Sequence, residues 1–496
     1  MKTVLVSTLA VAALCAAGTV QAAPDVTRTL VASPAVPASK EVSVENLLGH
    51  MTVSHGPVFS VKATVVAGGK DAQALAQSVK LEVSDAGGEV TVHVHYPIDR
   101  YTTYRYGTRN DGGDFCILRI FCFHGGDTYG LDYQGRHVRV ASDGVPLHVD
   151  VAVQLPSGMA AQLVNQVGLL DAAGLEDSLA LDTSGGDVSA RQITGDLKAD
   201  SAGGDVHVQA LHGSLDADTA GGDAYVTQAA GATLRVRTGG GDAKLDGLNG
   251  SLDVGTAGGD LYLTHYVSGA SVTLHTGGGD LQAAGSFAAA RSVSIGTAGG
   301  EAVVKASRLA ANVTADTGGG DLHLGGMTGG SLVADTAGGD AYLAGIAAPV
   351  RLHSGGGDAH LGGITGSLDA GTAGGDLYVT GFDAGPDVSL HTGGGYLQLA
   401  GNLAATRNLD VRTAGGNAAL TVSGLSLHLQ VSSDGGDIAV NLPRTHNLTS
   451  SSDHLTADIG NGQGRGSIRT DGGNVTLGPL AGATAPAATA TSLTRG

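Results

Sequence analysis

The sequence predicts an all-β protein: a parallel β-solenoid of 18–21-residue coils with two short strands each, preceded by a β-rich N-terminal region. The first observation behind this prediction is a recurring marker, a Thr or Ser, one residue and then Gly-Gly-Asp, followed by an apolar-x-apolar triplet. Markers at a fixed period of this length are typical of solenoids, whose units stack on their neighbours because none can bury its apolar face alone. The marker position is occupied by Asp187, Asp205, Asp223, Asp242, Asp260, Asp280, Glu301, Asp321, Asp340, Asp358, Asp376, Tyr396, Asn417 and Asp437.

The second observation is a regularity above the single coil. Coils that read Thr-Ala-Gly-Gly alternate with coils that read Thr-Gly-Gly-Gly or Ser-Gly-Gly-Gly, which indicates that a pair of coils was the genetic unit. In addition, residues 239–264 match residues 355–380 at 20 of 26 positions. The same offset relates the markers that follow, so a block of six coils was duplicated.

The first 22 residues have the pattern of a signal peptide. Lys2 precedes an apolar run, and Val20, Gln21 and Ala22 form an A-x-A-like cleavage site. We therefore expect an exported protein, periplasmic or extracellular at the cell surface. No later stretch approaches the roughly 18 apolar residues of a spanning helix, so we expect no membrane insertion. Residues 23–40, rich in Pro, Ala, Ser and Val, are predicted to be a flexible leader.

Residues 41–156 form the β-rich N-terminal region. Apolar and polar residues alternate at 90–95 and 147–153, which predicts half-buried strands, and 71–79 has the composition of a short helix. Residues 101–133 break the alternation and are predicted to be an irregular insertion, a kind of segment that is often functional.

The insertion contains Cys116 and Cys122, the two cysteines that remain after removal of the signal peptide. In an oxidising compartment two nearby thiols usually pair, so we predict a disulfide between them. Metal binding or redox chemistry is the alternative.

Residues 157–478 are predicted to form the solenoid. In a representative coil, residues 252–256 alternate apolar and polar, Gly258 and Gly259 turn the chain, and residues 261–263 alternate again. This predicts two strands per coil, each with one face inward. Glycines suit the corner if the tight turn needs positive φ.

The end of the repeat array departs from the consensus. Asn474 is the next clear marker after Asp437, at a distance of two coils, and the intermediate coil around Ala457 is degenerate. A divergent terminal coil is typical of a cap. The tail, residues 479–496, is predicted to be disordered.

Equivalent residues of stacked coils form columns, and the corner columns are represented by Thr256, Gly258, Gly259 and Asp260. In the alternation of inward and outward residues, the Thr column falls on the inward side, with the core Leu and Val. This position favours hydrogen bonds from the Thr hydroxyls to the turn or to the next coil. It argues against an exposed Thr array of the ice-binding kind. The Asp column is predicted to cap turns. Calcium binding is the alternative, because carboxylates at strand spacing repel one another, but the cation is not expected as a cofactor.

The middle residue of the second strand points outward, and Tyr recurs there on the Thr-Ala coils. Tyr225, Tyr262, Tyr342 and Tyr378 therefore form an aromatic stripe that could stack on sugars or on a partner protein. The alternative is that Tyr simply favours exposed strand positions.

Composition and motifs exclude several functions. The formal net charge of −19 and the lack of a basic stripe make nucleic acid a poor partner. No hydrolase, zincin, P-loop or dinucleotide motif is present in the sequence, and His93 and His95 have no third ligand nearby. We therefore predict that the protein is not an enzyme.

Two segments carry a family resemblance: residues 149–157, a strand that leads through Pro156 into the first coil, and the Thr-x-Gly-Gly-Asp units such as 183–190. With these, the chain resembles the bacterial putative-adhesin family of exported β-solenoid domains, a domain of unknown function, over most of residues 41–478. The resemblance implies surface interaction and supplies no catalytic residues. The insertion at 101–133 and the six-coil duplication depart from the usual pattern.

These observations together predict an exported structural or adhesin-like solenoid that binds a surface polymer or a protein through its strand faces. A polysaccharide-active, lyase-like β-helix enzyme and a calcium-binding repeat protein are the alternatives.

Overall fold

The computed structural model describes residues 25–36, 41–86, 88–106, 115–117, 121–123, 128–480 and 491–493. Within these residues the protein is all-β apart from the helix α1 (Ala72–Ser78), and it contains a parallel β-solenoid. The predicted fold class is confirmed. The chain divides into two compact units, Met1–Asn249 and Gly250–Gly496. The predicted signal peptide lies outside the described residues.

The strands up to residue 246 are β1 (Val26–Ala32), β2 (Glu41–Leu48), β3 (Met51–His55), β4 (Ser60–Ala67), β5 (Lys80–Ala86), β6 (Glu89–His95), β7 (Thr103–Arg105), β8 (Phe115–Ile117), β9 (Phe121–Phe123), β10 (Thr128–Tyr133), β11 (Arg136–Ala141), β12 (Val145–Leu155), β13 (Ala161–Val167), β14 (Leu170–Leu175), β15 (Leu179–Thr183), β16 (Val188–Thr194), β17 (Leu197–Ser201), β18 (Val206–His212), β19 (Leu215–Thr219), β20 (Ala224–Thr238) and β21 (Ala243–Asp246).

The remaining strands are β22 (Asn249–Thr256), β23 (Leu261–Thr276), β24 (Leu281–Ser286), β25 (Ser292–Thr297), β26 (Ala302–Leu309), β27 (Asn312–Thr317), β28 (Leu322–Met327), β29 (Ser331–Thr336), β30 (Ala341–Ala347), β31 (Val350–Ser354), β32 (Ala359–Thr372), β33 (Leu377–Thr392), β34 (Leu397–Asn402), β35 (Asn408–Thr413), β36 (Ala418–Ser423), β37 (Leu427–Ser433), β38 (Ile438–Val440), β39 (Thr445–Ser450), β40 (His454–Ile459), β41 (Gly464–Thr470), β42 (Val475–Pro479) and β43 (Thr491–Leu493).

The first unit stacks two strands per coil into two parallel ladders. One ladder runs β6, β2, β13, β15, β17, β19 and the second half of β20, and the other runs β12, β3, β14, β16, β18, the first half of β20 and β21. Equivalent residues are register partners, as in Leu179 opposite Leu197. Because inward positions hold buried Leu, Val and Ala, the core is a narrow column between the ladders.

The first coil comes from residues that the sequence separates from the repeats. Strands β2 and β3 pair in parallel with β13 and β14, so they form a coil next to the unmarked coil of β13 and β14, which in turn lies next to the first marked coil, that of Asp187. The described residues between 56 and 160 interrupt the stack: β4, β6 and β12 pair with its end strands or with β1, and β8 and β9 pair only with each other. The predicted solenoid start at residue 157 is therefore wrong for β2 and β3, because strand pairing here does not follow chain order.

Two further predictions for this region need correction. Part of the predicted flexible leader is the strand β1, which pairs antiparallel with β4 and buries Leu30 and Ala32. The segment 101–133, predicted to be irregular, contains the strands β7 to β10. Tyr104 and Tyr133 are fully buried, and their rings pack edge-on against Tyr96. Burial of these aromatic rings orders the described parts of the segment.

The second unit has the same architecture. One ladder contains the second half of β23, β25, β27, β29, β31, the second halves of β32 and β33, β35, β41 and β37. The other contains the first half of β23, β24, β26, β28, β30, the first halves of β32 and β33, β34, β36, β42 and β38.

The last coils of the second unit are out of chain order. The coil of Asn474 (β41 and β42) lies between the coil of Asn417 and the coil of Asp437. The predicted degenerate coil around Ala457 is instead an antiparallel hairpin, β39 and β40, which pairs with β37. The backbone of 491–493, in the tail predicted to be disordered, pairs with β38.

Candidate functional site

The predicted Thr column is buried at the corners of the coils and makes hydrogen bonds to the turn backbone in most of them, but not at Thr183, Thr317 and Thr336. Thr256 is 5% exposed, and its hydroxyl donates a hydrogen bond to the Gly259 carbonyl oxygen at 2.5 Å. The equivalent hydroxyl of Thr219 instead donates to Gly204 of the preceding coil at 2.8 Å. A buried hydroxyl that bonds the turn backbone has a structural role.

The reason for the corner glycines differs from the predicted one. The glycines of the Gly-Gly-Asp corners, Gly258 and Gly259 included, are absent from the residues with positive φ. They are needed because the coils approach closely: a Cβ on Gly279 would lie 2.3 Å from the Gly259 carbonyl oxygen, closer than any real Cβ contact. On the preceding residue, Gly278, the nearest atom would be 3.7 Å away. Only the second glycine of the pair is sterically required.

The alternation between Thr-Ala and Thr-Gly coils has the same origin. A Cβ on Gly393, the residue after Thr in its coil, would lie 2.0 Å from the carbonyl oxygen of Ala373 in the coil before it. Ala373 itself carries a Cβ at the equivalent position. A methyl group therefore fits at this corner only in every second coil of this region.

The Asp column forms a ladder between coils. Asp260 Oδ1 accepts a hydrogen bond from the backbone N–H of Asp280 at 2.8 Å, and Oδ2 accepts one from the Tyr262 hydroxyl at 2.8 Å. The carboxylate thus caps the corner of the next coil, a contact between coils that the predicted turn-capping role did not specify. The same bond to the next marker amide is made by Asp187, Asp205, Asp223, Asp280, Asp321, Asp340, Asp358, Asp376, Asn417 and Asn474.

These bonds bear on the calcium alternative. An N–H donor and a cation compete for the same carboxylate oxygen, so the ladder relieves the need for a metal. Within the described residues, no group of three or more His, Cys, Asp or Glu side chains could hold a metal ion.

The predicted Tyr stripe is a stacked ladder in which imidazoles fill the gaps between the Tyr rings. In the second unit Tyr342 lies between His323 and His360, with ring centroids 4.5 and 4.9 Å away and planes within 9° of parallel. Tyr378 stacks on the other face of His360 at 5.0 Å. The tilted ring of Tyr396 follows at 6.2 Å.

The first unit has a shorter version. Tyr225 stacks on His207 at 4.7 Å, and the Lys244 ammonium lies 5.2 Å from the ring centroid. Burial would raise the pKa of Asp223, but hydrogen bonds from the Asp242 amide and the Tyr225 hydroxyl, with the Lys244 charge, outweigh it and lower that pKa. The Asp223 carboxylate is thereby held in its charged form.

This geometry changes what the stripe can do. The faces of Tyr342 and Tyr378 contact neighbouring rings, so a sugar cannot stack on them as on separate platforms. Each of the four Tyr hydroxyls donates to the Asp two residues earlier, and in Tyr378 this bond raises the pKa of the phenol. What the ladder presents is a ridge of ring edges. Sequence reasoning missed the role of the imidazoles, although His207, His323 and His360 occupy the same column as the Tyr residues.

The two cysteines are opposite each other in an antiparallel pair. The backbones of β8 and β9 place Cys116 and Cys122 as register partners. Antiparallel partners have Cα atoms about 4.5–5.5 Å apart, within the range that a disulfide bridges. Their side chains lie outside the described residues, so the disulfide stays a prediction.

No helix in the described part of the chain has the length and hydropathy to cross a bilayer.

Comparison with known proteins gives one family. The model of the Toastrack DUF4097 family matches residues 149–290 and 288–478. No curated protein matches the sequence.

Three solved structures share weak similarity with the chain. A putative cell adhesion protein from Clostridium sporogenes is 6% identical, with 92% of this chain and 100% of that chain covered and a TM-score of 0.17. A putative adhesin from Parabacteroides distasonis is 12% identical, with 74% and 97% covered and a TM-score of 0.17. A putative adhesin from Parabacteroides merdae is 10% identical, with 69% and 95% covered and a TM-score of 0.19. TM-scores this low support no argument about this chain.

Proposed function

This chain belongs to the Toastrack DUF4097 family, and we propose that it is an exported, adhesin-like structural protein whose strand faces bind a surface polymer or another protein. The observation that supports this most directly is an ordered ridge of stacked rings. Its members are His323, Tyr342, His360 and Tyr378, and the centroids of successive rings are at most 5.0 Å apart.

A stacked ridge is suited to binding because its side chains are already fixed. Binding costs about 0.5–1.5 kcal/mol for each flexible side chain that must be immobilised. The ring stacking and the hydrogen bond from Tyr378 to Asp376, at 2.7 Å, remove most of that cost before a partner arrives. Weak contacts repeated along a rigid ladder add up when several are engaged together.

The proposal includes no catalytic activity. The carboxylates of the marker column are used as acceptors for backbone and Tyr donors, as for Asp260 and Asp376. A general acid or base needs a proton that it can exchange with a substrate. A carboxylate that holds two structural hydrogen bonds is poorly placed for that role.

The test is binding of the mature chain to material extracted from bacterial surfaces, in portions treated with protease or with periodate. The parent should bind at least one portion. Replacing Tyr225, Tyr262, Tyr342 and Tyr378 with Ser should lower binding while leaving circular dichroism unchanged. Undiminished binding by this variant would remove the ridge as the contact surface, and a parent that binds neither portion would refute the function.

A further inference from the structure

A groove of about 1000 Å³ lies on the other ladder of the second unit, away from the Tyr ridge. Its floor crosses seven neighbouring strands, β29, β31, β32, β33, β35, β41 and β37. Its wall includes Gly462 and Gln463, in the loop between β40 and β41, and His428. The loop after β40 and the inserted strand β41 therefore border the strand face at this end of the groove.

The floor is a column of polar side chains in strict register. Asp369 is the register partner of Ser389, Ser389 of Asp410, and Asp410 of Ser467. Carboxylates and hydroxyls therefore alternate, and each type recurs every second strand, at about 9.6 Å by the inter-strand distance. That distance is close to the repeat of an extended disaccharide.

Charges in the groove are compensated internally, in a protein with a net charge of −19. Arg351 Nε lies 3.2 Å from Asp369, and Arg412 makes two bonds to Asp410, at 3.1 and 2.8 Å. A third carboxylate in the lining accepts a bond from the Asn408 amide at 2.7 Å. A charged polymer gains little from such a surface, whereas uncharged hydroxyl groups can bond to the donor and acceptor positions that these internal bonds leave open.

One atom in the floor lacks a partner. Ser467 Oγ is shielded from solvent and makes no hydrogen bond within the described residues. A buried polar atom without a partner is unfavourable, and a ligand group recovers that cost when the Ser467 hydroxyl turns towards the groove.

We infer that this groove binds an uncharged, extended polysaccharide along the column Asp369, Ser389, Asp410 and Ser467. The inference rests on the proposed function, names a ligand class for it, and places that ligand on the strand face opposite to the Tyr ridge. Seven strands span about 29 Å, roughly the length of six sugar units, so affinity should rise with chain length and level off near that number.

The duplication supplies a matched control for the test. Ser389 lies in the segment Val388 to Thr392, and Thr273 occupies the same place in the nearly identical segment 272–276, outside the groove lining. Both residues are half-buried. Ser389→Trp should block the groove, and Thr273→Trp should place the same ring on an open strand face. Gln463→Trp, on the exposed rim, is a second blocking variant that does not alter a strand.

The experiment measures binding of the full chain to immobilised neutral cello-, xylo- and manno-oligosaccharides of two to ten sugars, with chitosan and sulfated oligosaccharides as charged probes. We expect binding to a neutral series, at least a tenfold loss for Ser389→Trp and Gln463→Trp, and parental affinity for Thr273→Trp.

Four outcomes overturn the inference. Equal affinities of the three variants would show that the groove is not the site. Binding to the charged probes alone would refute the ligand class. Binding to extracted surface material that protease abolishes, without binding to any glycan, would assign a protein partner and leave the proposed function standing. A parent that binds neither glycans nor extracts would refute both.

Discussion

Two adjacent glycines in one corner should respond in opposite ways to the same methyl group. Gly374 and Gly375 belong to one Thr-Ala-Gly-Gly-Asp corner, and neither has positive φ, so backbone strain does not separate them. A Cβ on Gly375 would lie 2.1 Å from the Gly357 carbonyl oxygen and 2.8 Å from an Asp358 carboxylate oxygen. A Cβ on Gly374 would meet nothing closer than 3.8 Å.

The magnitude follows from what has to move. Relieving the contact at Gly375 requires the two coils to separate by about 1 Å at a spacing of about 4.8 Å, which disturbs the hydrogen bonds on both sides. Overpacking of this kind costs about 1–3 kcal/mol, and we expect the upper end because backbone opposes backbone. For Gly374→Ala the reduced freedom of the unfolded chain should instead stabilise by about 0.4–1 kcal/mol.

The assay is thermal unfolding followed by circular dichroism. A change of 1 kcal/mol shifts Tm by about 2–4 °C in a unit of this size, so Gly375→Ala should lower Tm by about 6–12 °C. Gly374→Ala should leave Tm unchanged or raise it slightly. Equal losses in the two variants, or a larger loss for Gly374→Ala, would show that close approach of the coils is not why the second glycine is required.

Three other predictions follow from single contacts. Asp376→Ala leaves the marker amide of the next coil without its acceptor, so it should lower the free energy of unfolding, measured with denaturant, by about 1–3 kcal/mol. Asp376→Asn retains an acceptor and should cost less than about 1 kcal/mol. Equal losses in the two variants would contradict the Asp ladder. The lowered pKa of Asp223 means that its contribution to stability is present above pH 3.8 and is lost as the pH falls through the folded-state value. Tyr225→Phe should therefore destabilise at neutral pH and match the parent in strong acid, and a constant difference across the titration would argue against the carboxylate. The non-reduced mature chain should contain no free thiol if Cys116 and Cys122 are paired, and two titratable thiols would refute the disulfide.

The period of the repeat by itself determined the solenoid, the two strands per coil and the columns. Stacking in parallel and in register places residues one period apart next to each other, so the spacing of Asp340, Asp358 and Asp376 already specifies a ladder. The inward positions were equally readable, because alternation over residues such as 261–263 leaves one face apolar.

Tertiary structure decided which coils are neighbours at the ends. Nothing in the period places β2 and β3 beneath β13 and β14, or the Asn474 coil between those of Asn417 and Asp437. The exposed edge of a ladder can pair with any strand of suitable length that the chain brings to it. The entropic cost of closing the intervening loop grows only slowly with the length of that loop, so a distant strand can take this place.

Contacts between side chains also could not be predicted from the sequence. The pattern identified Tyr342 as outward-facing, but the faces of its ring are covered only because His323 and His360 adopt rotamers that lie parallel to it. The glycine requirement at Gly375 depends on the distance between coils, and the groove depends on the strand β41, which lies out of chain order between β35 and β37. Each is set by distances between segments far apart in the chain, which a one-dimensional period does not encode.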